Sequence, residues 1–181
     1  NERQPAKPDG CEAGIVRGAY RLTGNVNDDA PMIRLLGSGP IMKNVISASE
    51  DLNGRGITTE IWSVTSYGEL RREGLEFERI KRFDPKHEGV PYVEACFGDG
   101  IPTVAASDYI AAVPEMIQRW TKGGFLPLGT DGFGRSDTRK ELRFFEVDSD
   151  SIVLASLSLL ERQGGIPPGS SSSFAQEAGL S

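Results

Sequence analysis

The sequence predicts an α/β fold of three layers, in which a mainly parallel sheet of about five strands lies between helices on both faces. Short apolar segments typical of strands alternate with longer segments whose apolar residues recur at helical spacing. Glycine-rich turns connect strand to helix in two of these units, at residues 37–40 and 129–134. The chain of 181 residues is long enough for one such domain.

The first predicted βα unit follows an amino-terminal arm or linker over residues 1–14, which is followed by a weakly patterned stretch. Residues 32–36 form the first predicted strand. A helix begins after it with Pro40 at the favoured first position and ends at Gly54. Its predicted buried stripe consists of Ile41, Val45, Ala48 and Leu52.

The next unit pairs a strand over residues 57–65 with a long helix over residues 67–83. Ser66 and Glu69 are spaced as a capping box at the start of that helix. Gly74 lies in the apolar stripe of the helix, where glycine costs about 1 kcal/mol of helix propensity. We therefore expect another element to pack closely against it. Interleaved basic and acidic residues indicate that the remaining surface of the helix faces solvent.

Two short apolar segments, residues 92–97 and 103–106, are predicted as strands. The turn between them, Gly98-Asp99-Gly100, permits either a hairpin or two strands placed side by side in one sheet. Cys96 lies within the first segment and is expected to be a small buried side chain rather than a nucleophile.

A helix capped by Asp108 is predicted to carry Trp120 in its apolar stripe and to end at Gly123-Gly124, with a kink or a restart at Pro114. Residues 125–128 form the last predicted strand. Because Pro127 has no N–H to donate, this strand should lie at an edge of the sheet or be irregular there.

A glycine-rich turn follows the last strand. Three glycines permit tight turning, Ser136 is placed to cap the next helix, and Asp137 falls in its first turn. The amides of such a turn could hold an anion, although spacing alone favours a plain connector. The candidate residues for an interface or anion-binding turn are Gly129, Thr130, Asp131, Gly132, Phe133, Gly134, Arg135, Ser136 and Asp137.

The carboxyl-terminal region begins with Asp148, which is predicted to cap a helix over residues 152–160. The length of this apolar stretch favours a helix, although its first three residues could form a strand. Residues 165–181 contain two prolines and four consecutive serines and are predicted to be a loosely ordered tail. The domain itself is therefore expected to span residues 15–164.

Composition excludes several classes of function. The chain has 20 Lys and Arg against 26 Asp and Glu, a net charge of −6, which argues against nucleic acid or an anionic membrane as main partner. Cys11 and Cys96 form neither a disulfide framework nor a metal-ligand spacing, and His87 is the single histidine. No signal peptide or membrane-spanning segment is apparent, which favours a reducing compartment.

The string from Gly129 to Arg139, GTDGFGRSDTR, resembles the C-terminal signature of the homodimeric, thiamine-diphosphate-dependent E1 component of pyruvate dehydrogenase complexes. Further strings resemble the same family in the same order, at residues 35–39, 62–66, 69–74, 90–93, 107–109 and 145–148. The resemblance covers about residues 10–164. It implies a transketolase-type C-terminal domain from a much longer enzyme, and a beginning at Asn1 is expected for such a fragment.

The resemblance implies a function and partners. Such enzymes (pyruvate dehydrogenase, acetyl-transferring, EC 1.2.4.1) decarboxylate pyruvate on thiamine diphosphate and pass the acetyl group to a lipoyl group of E2. It also implies a bacterial cytoplasm and contacts with the upstream E1 domains, a second E1 subunit and the E2 acetyltransferase. The third domain is expected to brace the second domain and the dimer, so the isolated chain should be inactive, with no catalytic, cofactor-binding or metal residue.

The family holds Mg²⁺ and the diphosphate with a Gly-Asp-Gly stretch followed downstream by an asparagine. Residues 98–100 and 130–132 are similar to the first part, but no asparagine follows Asn53. We therefore expect neither thiamine diphosphate nor Mg²⁺ in this chain. Asp131, Arg135 and Asp137 are instead expected to make charge-assisted contacts with the missing domains.

Two alternatives stay open. One is a regulatory module that binds a small anion or a nucleotide at the carboxyl ends of the strands, at residues 37–39 and 129–136. The other is a domain of a related thiamine enzyme such as transketolase.

Overall fold

The computed structural model describes residues 6–24, 29–131 and 146–180. Its five strands are β1 (Ala19–Gly24), β2 (Met32–Gly37), β3 (Thr58–Val64), β4 (Thr103–Ala106) and β5 (Phe125–Leu128). They form one sheet in the order β1-β3-β2-β4-β5. Strands β2 to β5 are parallel, and β1 is antiparallel to β3 at one edge. The predicted mainly parallel five-stranded sheet is confirmed.

Helices cover both faces of the sheet, as predicted. They are α1 (Glu12–Arg17), α2 (Met42–Gly54), α3 (Tyr67–Phe83), α4 (Tyr92–Phe97), α5 (Ala112–Glu115), α6 (Ser149–Arg162) and α7 (Ser170–Glu177), with 3-10 turns at Gly39–Ile41 and Gln118–Trp120. Helices α2, α6 and α7 enclose one apolar cluster with the sheet, and α3, α4 and the second 3-10 turn enclose the other. The three layers thus arise because alternate residues of the central strands point into different clusters.

The first cluster contains Ile33 and Leu35 of β2, which pack against the predicted stripe of α2. All four residues of that stripe are buried, and the helix ends at Gly54 as predicted. Helix α6 closes the cluster with Ile152, Val153 and Leu160. Its N-cap is Asp148, whose carboxylate accepts a hydrogen bond from the amide of Ser151 at 2.9 Å, which confirms the predicted cap.

The second cluster places Gly74 of α3 against Trp120. A Cβ atom at position 74 would lie 2.5 Å from the indole ring, so the ring occupies the space that a larger residue would need. The expected close packing is confirmed. The cap of α3 is also confirmed, since Ser66 Oγ accepts from the amide of Glu69 at 3.1 Å. The amide of Ser66 instead donates to Gly18, so only one half of the capping box forms.

The predicted strand over residues 92–97 is wrong, because this segment forms α4. Its buried residues Val93, Cys96 and Phe97 are spaced three and four apart, which is the spacing of a helix face. Both arrangements considered for this segment and β4, a hairpin or two strands side by side, are wrong for the same reason. The fifth strand is instead β1, in the weakly patterned stretch before residue 32, where Ala19 pairs with Val64 of β3. The predicted number of about five strands is therefore correct only because one wrongly predicted strand and one missed strand cancel.

The helix predicted to begin at Asp108 begins only at Ala112, and the interruption expected at Pro114 is far more complete than a kink. Only four residues around Pro114 are helical, followed by the separate 3-10 turn at Gln118–Trp120. Proline at this position removes a helix donor, so a continuous helix through it would lose a hydrogen bond. The last strand lies at the edge of the sheet, as its proline predicted.

The tail is not loosely ordered over its described part, because α7 packs on the sheet's first cluster. Phe174 is 4 % exposed and belongs to that cluster. The Glu161 carboxylate accepts hydrogen bonds from the amides of Gly169 (2.7 Å) and Ser171 (2.9 Å), so it satisfies free N–H groups at the start of α7. At the other end of the chain, α1 begins at Glu12, inside the predicted arm.

Candidate functional site at the carboxyl edge of the sheet

The carboxyl ends of β2, β4 and β5 bring three loops together at one edge of the sheet. In parallel sheets this is the edge where ligands bind. Ser38 after β2 donates to Ser107 after β4, with 3.1 Å between their Oγ atoms, and both residues are buried. The amide of Ser107 in turn donates to the carbonyl of Leu128 at 3.1 Å. Hydrogen bonds therefore join the loop after β2 to the loop after β4, and the loop after β4 to the end of β5.

The first three candidate turn residues are bound to the loop that follows β4. At Gly129 a Cβ atom would lie 2.3 Å from the amide nitrogen of Ala111, so glycine is required by the close approach of two backbones. Thr130 donates through its amide to the carbonyl of Tyr109 (2.9 Å) and through its hydroxyl to the carbonyl of Asp108 (2.6 Å). Asp131 accepts from the amide of Ala111 at 3.3 Å.

These contacts make the start of the turn a packing element. The remaining candidate residues lie outside the described part of the chain: Gly132, Phe133, Gly134, Arg135, Ser136 and Asp137.

The described part of this edge carries negative charge. Asp108 directly follows Ser107, and its Oδ1 atom is buried without a hydrogen-bond partner. Gly39 lies opposite, where a Cβ atom would be 3.4 Å from each carboxylate oxygen. Together with the exposed carboxylate of Asp131, this arrangement opposes the binding of an anion. The predicted anion site therefore gains no support from the described residues and stays a prediction.

Sequence reasoning missed Asp108 as a site residue. It interpreted this aspartate as a helix cap, whereas the carboxylate lies beside Gly39, on the loop of another strand. The available signal was its position two residues after β4, since polar residues that follow a buried parallel strand lie at the edge where sites form.

The Gly98-Asp99-Gly100 stretch lies at the opposite, amino edge, where Arg34 engages Asp99. The two Nη atoms of Arg34 donate to the two carboxylate oxygens at 2.9 and 2.6 Å, and Nε donates to Glu60 at 2.6 Å. Burial acts to raise the pKa of Asp99, but the Arg34 hydrogen bonds outweigh it and hold that pKa below its usual value. Asp99 therefore has a structural partner, which is inconsistent with a role as a metal ligand.

The described residues do not fit the Mg²⁺–diphosphate group that the resembled family uses. Asp99 and Asp131 each have protein partners, and no cluster of three or more His, Cys, Asp and Glu within residues 6–24, 29–131 and 146–180 could hold a metal ion. Cys96 is buried, as predicted, and burial raises the pKa of its thiol to about 11. A protonated thiol is a poor nucleophile. None of the helices in the described ranges is long and apolar enough to cross a membrane.

A family model described as the transketolase-like TK C-terminal domain matches residues 18–148. The match runs from the residue before β1 to the N-cap of α6 and so includes the whole sheet. The chain belongs to this family. The edge described above is thus the carboxyl edge of a transketolase-like C-terminal domain.

Two bacterial relatives of this transketolase-like C-terminal domain carry the same name. The chain is 45% identical over 173 residues to the pyruvate dehydrogenase E1 component of Pseudomonas aeruginosa, which covers 93% of the chain and 20% of the relative. It is 39% identical over 170 residues to the same component of Escherichia coli, covering 92% and 19%. The chain therefore spans about one fifth of the length of these curated relatives.

Solved structures confirm the fold. Transketolase from Leishmania mexicana superposes with a TM-score of 0.57 at 20% identity, covering 88% of this chain and 21% of that one. Transketolase from Campylobacter jejuni gives 0.54 at 18% identity, covering 86% and 20%. The predicted resemblance and the predicted fold class are both confirmed.

Proposed function

We propose that this chain is the C-terminal domain of the E1 component of a bacterial pyruvate dehydrogenase complex. The full-length protein would decarboxylate pyruvate and pass the acetyl group to a lipoyl group of E2. The observation that carries the proposal is the 45% identity over 173 residues to a pyruvate dehydrogenase E1 component. The transketolase structures support the fold alone, since they share 20% identity or less with the chain.

Within that protein, the proposed role of the domain is to brace the neighbouring domain and the dimer. Three observations support a role without chemistry. Hydrogen bonds join the loops at the carboxyl edge, Arg34 binds Asp99, and Cys96 is buried, which raises the pKa of its thiol. Asp131, together with Arg135 and Asp137 beyond the described residues, is proposed to contact the upstream domains.

Thiamine diphosphate and Mg²⁺ are proposed to bind the upstream domains. The second subunit and E2 are the proposed partners, and the bacterial cytoplasm is the proposed location.

The test compares two reactions of the full-length protein. We expect thiamine-diphosphate-dependent release of CO₂ from pyruvate, measured with an artificial electron acceptor, and no transfer of ketol units between sugar phosphates. Ketol transfer without pyruvate turnover would assign the domain to a transketolase instead. Pyruvate turnover by the 181-residue chain alone would contradict the bracing role.

A further inference from the structure

A pocket lies between α1 and the strands β1 and β3. Its volume is about 640 Å³, which falls within the roughly 300–1,000 Å³ that is usual for small-molecule sites. The side chains that distinguish it are three aromatic rings, two arginines and one cysteine: Tyr20, Trp62, Tyr92, Arg17, Arg21 and Cys11. Flat apolar surfaces combined with a few charged groups are typical of sites that bind small organic molecules.

The walls of this pocket are fixed by contacts within the chain. Gly14 of α1 lies so close to its neighbours that a Cβ atom there would be 2.6 Å from the carbonyl oxygen of Ala19 and 2.8 Å from Tyr92 Oη. Tyr92 Oη donates to that carbonyl at 2.8 Å, and the Thr65 hydroxyl donates to the carbonyl of Ile15 at 2.8 Å. Because the pocket exists before anything binds, a ligand does not have to order it.

The two arginines of the pocket differ in how fully they are paired. Arg17 donates to the Glu73 carboxylate through two of its nitrogens. Arg21 reaches Glu60 only at 3.4 Å, and that carboxylate already binds Arg34 at 2.6 Å. The charge of Arg21 is therefore weakly compensated, because its carboxylate is shared with a closer partner. Arg21 is the group that an incoming anion would meet.

We propose that this pocket binds a small molecule made of one flat aromatic ring and one anionic group, a carboxylate in the simplest case. The ring lies against Trp62, and the anionic group accepts hydrogen bonds from the Arg21 guanidinium. The Arg17 guanidinium, which lies over the Tyr92 ring at 4.1 Å from its centroid, adds a second flat surface. This site takes no part in decarboxylation or acetyl transfer, so the inference goes beyond the proposed function.

The test uses the full-length protein and the rate at which a maleimide labels Cys11, resolved by peptide mass spectrometry. Cys11 lines the pocket and is partly exposed, whereas Cys96 is buried and reports any general opening of the domain. The probe is indole-3-carboxylate, and the uncharged indole-3-carboxamide is its matched control. We expect a dissociation constant of about 1 mM for a ligand of this size, so about 10 mM carboxylate should slow the labelling of Cys11 about tenfold.

The role of the charge is tested with two variants. Arg21→Met should raise the carboxylate concentration that gives half-protection about tenfold or more, because a charge-assisted hydrogen bond is lost. It should leave the weaker protection by the carboxamide unchanged. Arg79→Met is the matched control, since Arg79 is an ion-paired arginine of α3 outside the pocket and is 55% exposed, against 54% for Arg21.

Three results would overturn the proposal. They are no protection of Cys11 by the carboxylate, equal protection by the carboxamide, and no labelling of Cys11 without the probe, which would place the pocket under another part of the protein. Equal half-protection concentrations in Arg21→Met and Arg79→Met would overturn the contact with Arg21. Because the measurement needs no pyruvate, a protein that binds the probe but fails to decarboxylate pyruvate would remove the proposed function and leave this site intact.

Discussion

Replacing Arg34 by methionine should destabilise the domain more than any surface change. The Arg34 side chain is 1% exposed and donates to Glu60, which is 6% exposed. After the change, Glu60 would keep only Arg21 at 3.4 Å as an ion-pair partner among the described residues, and Arg21 is 54% exposed. Removing one member of a buried pair costs about 3–5 kcal/mol. With a urea slope of about 2 kcal/mol per molar, the unfolding midpoint of Arg34→Met should fall by about 2 M.

The control variant is chosen by the burial of the two acidic partners of Arg34, since Glu60 is buried and Asp99 is half exposed. Asp99→Asn removes the other acidic partner, but Asp99 is 49% exposed, so we expect a loss of only about 1 kcal/mol. The double variant Arg34→Met/Glu60→Leu removes both buried charges and should recover most of the loss, because apolar replacement of a buried pair is often neutral. Equal effects of Arg34→Met and Asp99→Asn, or no recovery in the double variant, would refute the reasoning.

Two further predictions concern the carboxyl-terminal helix. Phe174→Ala removes the buried anchor of α7, a loss of about 3 kcal/mol, so amide exchange in α7 should accelerate about 100-fold while β2 stays protected. The exposed control Gln176→Ala should change neither, and equal acceleration in β2 would contradict local undocking. Hydrogen bonds from the Ser171 side chain and the Gly169 and Ser171 amides lower the pKa of Glu161. Its stabilisation is therefore present above the ordinary glutamate pKa of about 4.3 and is lost as pH falls through the lower folded-state value. The difference in unfolding free energy between wild type and Glu161→Gln should shrink below about pH 4, and a difference that is constant from pH 3 to 6 would exclude this role.

Local patterns predicted those parts of the fold whose physical cause is local. The stripe from Ile41 to Leu52 lies on one face because a helix repeats every 3.6 residues. Ser66 and Asp148 cap their helices because each side chain reaches an amide only three residues ahead. Such contacts need no information from distant parts of the chain.

The candidate site was predicted only in part. The turn after β5 was expected to contact the missing domains, and that expectation stays a prediction, whereas Gly129 to Asp131 pack against the loop after β4 of the same chain. The unpartnered Oδ1 atom of Asp108 could not be predicted, because Gly39, which faces the carboxylate, and Thr130, which binds the backbone carbonyl, lie about 70 and 20 residues away along the chain. The same holds for Asp99, a loop residue whose partner Arg34 lies 65 residues earlier, in β2.

The sequence by itself determined the family, the alternation of strands and helices, and the positions of several caps, since these depend on short strings and on near-neighbour geometry. Tertiary structure alone decided that residues 19–24 form a strand, because the partner in β3 lies some forty residues further on. It also decided that a serine-rich tail forms α7, since Glu161 and the apolar cluster around Phe174 supply what the local sequence lacks. Long-range hydrogen bonds and burial, rather than local propensity, produced each of these differences.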